Sequence, residues 1–225
     1  MQYLYLCIIC LVTAAVFIVL EKMGRFVAAD IVKGVASAFF VALGLLGVPG
    51  CTDSRFALFV VIGLVLGAVA DVLLNLRYVF EGEKAKLAFL AGIVVFLAGH
   101  IAYIVACLPY CDALVPCTII GVVLTCVLLY WIFKQIEAST LFKVFGFFYL
   151  GAIVTLNCIA LFVLVTAFSP HWAMFFAGTL LFLVSDIILI LNNFGPKQRF
   201  WMRISNLMLY YVGQLLIALC LQLPF

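Results

Sequence analysis

Two aspartates sit where a carboxylate is costly. Asp186 lies in FLVSDIILIL (182–191), where every neighbour but Ser185 is apolar. Asp71 lies in GAVADVLLNL (67–76), in the same kind of setting. Each belongs to an apolar run long enough to cross a bilayer, where a carboxylate costs roughly 3 kcal/mol to insert. Such groups normally face the interior of a bundle or a wet cavity. Two carboxyls in one cavity can divide the work of general acid and general base, one protonated and one ionised, as their surroundings dictate. The same chain offers Lys33, Asn75, His100, Tyr103, Tyr149, Ser185, Tyr210, Tyr211 and Gln214 as groups that could orient carboxylates, water or a substrate.

These residues must be held by membrane spans. Of the 225 residues, 69% are hydrophobic and 9% charged, and the mean hydropathy is +1.41. A soluble domain carries about 25% charged residues. The expected fold is all-α, a polytopic bundle of eight transmembrane helices over 2–20, 28–47, 56–76, 86–108, 113–133, 141–167, 171–193 and 203–223. Between them lie turn and charge signals such as EKMGR, VPGCTDS, LPYCD and NFGPKQRFWMR. No linker divides the chain, so 1–225 reads as one integral membrane domain. No basic segment precedes the first apolar run, which therefore reads as a span and not a cleaved signal. A net charge of +3 gives no support to nucleic-acid binding.

Nine cysteines are present, most of them inside apolar runs, where Cys behaves as a small hydrophobe. Cys51, Cys107 and Cys111 lie in or beside loops, and no spacing forces a disulfide among them. With only His100 and His171 as histidines, no metal site is expected, and no cofactor.

Eleven of the twelve Lys and Arg residues fall in the loops after spans 1, 3, 5 and 7 or at the adjoining helix ends, and only Arg55 falls on the other side. The positive-inside rule then puts the odd-numbered loops in the cytosol and both termini outside. On this topology Asp71, Asn75, Asp186, Lys33, Tyr149, Tyr210, Tyr211 and Gln214 all lie toward the cytosolic half, with His100 nearer the middle. Asp71 and Asn75 are four apart and should share a helix face, as should Tyr210 and Gln214; Tyr103, three from His100, joins that histidine's face. Polar groups from six spans meeting at one depth suggest a shared cavity. ADVLLNL (70–76) also echoes SDIILIL (185–191) at an offset of 115, which carries spans 1–4 onto spans 5–8. A parallel four-plus-four repeat would fit and would set Asp71 opposite Asp186.

Each residue also has a structural reading. A buried Asp can serve a helix–helix hydrogen bond or pair with Lys33. Lys33 can snorkel to the surface. His100 can be a satisfied interior histidine, and the tyrosines can be packing or interface aromatics. Gly92, Gly99, Gly146 and Gly151 suit close helix packing. The weight against these readings is that two carboxylates share one depth with Lys, His, Tyr, Asn and Gln around them.

The motifs, taken in order, resemble the lysoplasmalogenase family of eight-span membrane hydrolases, the YhhN type. Lys33 in DIVKG is similar to that family's early span-2 lysine, and ADVLLNL to its GD-x-x-L motif. FLAGHIAYI (96–104) resembles F-x-x-x-H-x-x-Y, and Tyr149 in FFYLG its central tyrosine. GTLLFLVSDIIL (178–189) is similar to G-x-x-x-F-x-x-SD, and LYYVGQLLI (209–217) to TYY-x-x-Q-L-L-I. Ala70, Gly34 and Leu209 depart from the family's usual Gly, Pro and Thr. The resemblance implies hydrolysis of the vinyl ether bond of a lysoplasmalogen, giving a fatty aldehyde and a glycerophospho-base. It implies a lysophospholipid and membrane lipid as partners, in a bacterial inner membrane or the endoplasmic reticulum. A vinyl ether hydrolyses when an acid protonates its β-carbon and water adds to the resulting oxocarbenium ion, so neither a nucleophilic Ser or Cys nor a metal is required. Glycosidases meet a similar cation with two carboxyls. Asp71 and Asp186 would be that pair, with Lys33, Arg77 or Lys84 available to hold the phosphate.

Three other classes compete. A small-solute transporter or channel would continue its polar residues to the outer face, and here that half is nearly bare. A purely structural protein leaves the buried charges unexplained. A zinc-dependent lipid amidase would want several histidines around its metal.

Overall fold

The computed structural model describes residues 2–224. The chain is 86% helical, with no strand among the described residues. Among the described residues the eight α-helices are α1 (Gln2–Lys22), α2 (Phe26–Gly47), α3 (Ser54–Leu76), α4 (Gly82–Cys107), α5 (Leu114–Phe133), α6 (Thr140–Thr166), α7 (Pro170–Phe194) and α8 (Phe200–Cys220). All eight are long and apolar enough to cross a membrane, so the chain is an integral multi-pass membrane protein. The polar exceptions at helix boundaries explain where the spans end. Asp53 accepts from the backbone N–H groups of Arg55 and Phe56 at 2.7 and 3.0 Å and so starts α3. Ser169 caps α7 in the same way, and Pro170 follows at the position where a missing N–H costs nothing. α4 begins at Gly82 and not at 86, because Gly82 takes φ +58 and turns the chain before its charged first turn.

The helices pack as two similar halves. α1 lies on α2, α2 on α3 and α3 on α4; α5 lies on α6, α6 on α7 and α7 on α8. The halves meet through α4 against α6 and through α2 against α8, contacts that exchange when α1–α4 are carried onto α5–α8. This is the arrangement expected of a four-plus-four repeat. Two interfaces break it: α3 packs on α8 more closely than α7 does on α4, and α1 packs on α8 while α5 stands off α4, where an apolar chamber opens between them.

The tightest pairs in both halves depend on glycine. Side-chain bulk added at Gly63 would meet the Tyr103 ring at 2.2 Å, and at Gly178 it would meet the Gly213 carbonyl oxygen at 2.7 Å. Gly178 is Gly63 shifted by the same 115 residues. Without a hydrophobic drive between helices in lipid, close backbone approach is what holds such pairs together. Gly178→Ala is therefore expected to destabilise by about 1–3 kcal/mol, because the atoms it meets are backbone and cannot yield. Gly146→Ala, where nothing lies within 4 Å, should leave stability unchanged. Thermal unfolding of the two variants in detergent checks the contrast.

The bundle differs between its two ends. At the end away from the basic loops, Phe56 packs its ring within 4.8 Å of His171, 5.3 Å of Trp172 and 5.5 Å of Phe175. At the basic end the interior is polar. Cys51, Cys107 and Cys111 are free thiols.

Candidate active site

The carboxylate of Asp71 is approached from three sides. α2 brings Lys33 and Ser37, four residues and thus about one turn apart, onto the face that meets α3. Lys33 Nζ is 3.1 Å from Oδ1, with both side chains at most 4% exposed. The Ser37 hydroxyl donates to Oδ2 at 2.6 Å. From α8, the Tyr210 hydroxyl donates to the same oxygen at 2.8 Å. Behind Tyr210 runs a chain of amphoteric groups. Gln214 Nε2 donates to the Tyr210 hydroxyl at 3.4 Å, and Tyr103 on α4 donates to Gln214 Oε1 at 2.9 Å. Tyr211 lies 3.4 Å from the Ser37 hydroxyl and donates to the Lys33 carbonyl at 3.5 Å. One cation and two hydroxyl donors thus converge on the Asp71 carboxyl.

Asp186 has a different setting. His100 Nε2 on α4 lies 3.6 Å from its Oδ2, just beyond hydrogen-bond distance. Tyr149 on α6 is its other polar neighbour. The His100 ring is held between Tyr149 and Phe182, with centroids 5.0 and 4.8 Å away. Asp186 Oδ2 and both His100 ring nitrogens are buried with no hydrogen-bond partner among the described residues. Buried polar atoms are rarely left so, and a bound molecule or water is the usual reason. Ser185 is used otherwise: it donates to the Asn206 carbonyl at 3.0 Å and accepts from Asn206 Nδ2 at 2.8 Å, tying α7 to α8.

Both carboxylates line one cavity, with Lys33, Arg77, Arg203 and Tyr210 also on its wall. Their neighbours come from corresponding helices of the two halves: α2 and α8 for Asp71, α6 and α4 for Asp186. Lys33 on α2 and Tyr149 on α6 occupy nearly equivalent places, so the repeat gives one carboxyl an ammonium and the other a phenol.

Leu74, Phe96 and Leu189 form a wall shared by this cavity and the apolar chamber beside α5. That chamber is bounded by Phe89 and Ile93 of α4, Leu129 and Ile132 of α5, and Phe142 of α6, with Tyr149 at its inner edge.

Of the residues expected at the site, Lys33, Asp71, Ser185, Asp186 and Tyr210 line the cavity itself. His100 and Tyr149 reach it through Asp186. Tyr103, Gln214 and Tyr211 stand one or two hydrogen bonds behind. Asn75 is not brought to the wall; it sits beside Asp30 on the α2 side of α3. Lys84 is exposed in the first turn of α4. Asn157, nearer the middle, ties α6 to the Thr179 backbone of α7. Four further residues take part: Ser37, Asn206, Arg203 and Glu21. Ser37 follows Lys33 by four and was signalled by that spacing. Asn206 and the ion pair of Arg203 with Glu21, at 2.9 and 3.0 Å, carried no such signal.

The YhhN family model matches residues 28–221 of the chain, from the start of α2 to the end of α8, and that family includes lysoplasmalogenases. No curated protein and no solved structure matches the chain.

Proposed function

Because the chain belongs to the YhhN family, we propose that it hydrolyses the vinyl ether bond of lysoplasmalogens, the alkenyl glycerophosphocholines and glycerophosphoethanolamines, to a fatty aldehyde and a glycerophospho-base. The observation that carries this reading is the pair of carboxylates on one cavity wall with unlike neighbours. Asp186, which has no lysine or arginine within 4.0 Å among the described residues, is the acid in this reading: its proton goes to the β-carbon of the alkene, and the electron pair of the double bond forms the new C–H bond. The ether oxygen shares the positive charge as an oxocarbenium ion. Asp71, paired with Lys33 and accepting from Ser37 and Tyr210, lowers the energy of that cation and takes a proton from the water that adds to it. The hemiacetal then collapses, its hydroxyl proton leaving and the glycerol oxygen receiving one, so one water is consumed overall. Acid–base help of this kind is worth about 10²–10⁴-fold in rate. Tyr149 and His100 orient the acid, and the Tyr103–Gln214–Tyr210 chain orients the base.

The single hydrocarbon tail fits the chamber beside α5. Gly146 forms part of its wall, and nothing lies within 4 Å of where a side chain there would start. Gly146→Leu is expected to shorten the preferred tail. Each excluded methylene forfeits about 0.8 kcal/mol, so losing two raises KM for long tails roughly tenfold. Comparing KM across a chain-length series checks this.

The charge bias of the loops supports a cytosolic basic end, with substrate entering from the cytosolic leaflet and both termini extracytoplasmic. A transporter is the second reading, favoured by the repeat and by polar groups gathered at one depth. The aromatic packing around Phe56 and Trp172 at the opposite end weighs against a through-path. The deciding experiment is aldehyde release from choline and ethanolamine lysoplasmalogens by the purified protein. Aldehyde supports the enzyme. Its absence from folded protein, together with solute flux in liposomes, supports the transporter.

A further inference from the structure

Resting on the lysophospholipid reading above, we propose that Arg77 is the phosphate anchor of the site, binding the phosphodiester of the lipid headgroup. Three cations stand on the wall of the carboxylate cavity: Lys33, Arg77 and Arg203. Two of them are already neutralised. Lys33 is 3.1 Å from Asp71, and Arg203 is held by both oxygens of Glu21 at 2.9 and 3.0 Å. Arg77 has no carboxylate within 4.0 Å among the described residues.

What surrounds Arg77 fixes its plane and leaves its charge unspent. Its guanidinium lies over the rings of Tyr78 and Phe89, with distances of 4.6 and 4.5 Å to the centroids. One terminal nitrogen donates to the Tyr78 hydroxyl at 2.7 Å and to Asn193 Oδ1 at 3.0 Å. Both acceptors are neutral. Nε is buried and donates to nothing among the described residues. A cation held in place, partly desolvated and without a counter-charge is incomplete, and an anion completes it. The planar fork suits two oxygens of one phosphate.

The place is also right for a headgroup. Arg77 directly follows the last residue of α3, at the basic end of the bundle, and shares a cavity wall with Asp71 and Asp186. A second chamber adjoins it, walled by Tyr78 and Asn193, which Arg77 bonds, and by Glu21, Phe26 and Arg203. The alcohol carried by the phosphate has room there. The carboxylate cavity shares Leu74, Phe96 and Leu189 with the tail chamber and Arg203 with the headgroup chamber, so tail, ether bond and phosphate of one lysolipid each have an adjoining space.

The test is binding, not turnover. The protein in lipid nanodiscs is titrated with a saturated 1-O-alkyl lysophosphocholine, with the 1-O-alkylglycerol of the same tail, and with inorganic phosphate. Wild type is compared with Arg77→Gln and with Asn193→Asp, which sets a carboxylate against the guanidinium and cancels its charge. Both variants should bind the phospholipid roughly ten- to hundred-fold more weakly, as expected for loss of charge-assisted hydrogen bonds, and bind the alkylglycerol as wild type does. Equal weakening of both lipids, or weakening of neither, overturns the proposal. So does inorganic phosphate binding as tightly as the phospholipid, which would make this a free-anion site. Should Arg77→Gln fail to fold, Asn193→Asp decides by the same criterion. The saturated ether is not a substrate for vinyl ether chemistry, so a phosphate-selective loss stands even if wild type releases no aldehyde from the alkenyl lipid.

Discussion

Asp186→Asn is expected to lower aldehyde release by at least about 10²-fold while leaving the fold intact, because the amide has no proton acidic enough to give to an alkene carbon. The loss should appear in kcat, with substrate binding kept. Stability should hold, since Asp186 Oδ2 has no hydrogen-bond partner and no lysine or arginine within 4.0 Å among the described residues. Asp71→Asn should lose activity to a similar degree, yet unlike Asp186→Asn it should also lose stability, because it strands the Lys33 ammonium in the interior. Activity together with thermal unfolding, measured on both variants, separates the two roles. Near-normal turnover in either variant would remove that carboxyl from the mechanism.

Lys33→Met gives the largest expected change in stability. Lys33 and Asp71 are 4% and 3% exposed, so removing the ammonium leaves a buried carboxylate without its cation. Breaking one partner of such a pair costs about 3–5 kcal/mol. Ser37 and Tyr210 still donate to Asp71, which argues for the lower part of that range. The double variant Lys33→Met with Asp71→Asn removes both charges, and its unfolding midpoint should return most of the way to wild type. Its activity should not return, because the anion that meets the oxocarbenium ion is gone. A double variant as unstable as Lys33→Met alone would mean that the two residues are not coupled. One that is stable and active would mean that the pair is only structural.

The spans were legible in the sequence because twenty-residue apolar runs bounded by charged or turn segments have one reading in a membrane. The convergence of polar groups was legible for a related reason: a carboxylate in such a run must face inward. Spacing succeeded for Tyr210 and Gln214, which do share a face and a hydrogen bond. It failed for Asn75. A helix face is wide, and the four-residue step from Asp71 carries Asn75 round to Asp30 and off the cavity wall. Gly63 and Gly178 could have marked the α3–α4 and α7–α8 contacts, since they recur at the offset of the aspartates. The gap between α4 and α5 could not be foreseen. It arises where the second half departs from the packing of the first, and that depends on how whole helices settle. The same holds for Arg203 with Glu21, 182 residues apart in the chain. Each end of that pair looks like an ordinary interfacial charge until the helices meet.

Proton transfer from a carboxyl to the alkene carbon is read from the mass of the aldehyde released in D₂O and trapped as it forms. Protonation at the β-carbon predicts one deuterium on the carbon next to the carbonyl in the wild-type product, with aldehyde lost in Asp186→Asn. Aldehyde without that deuterium, or no aldehyde from folded wild-type protein, would contradict it.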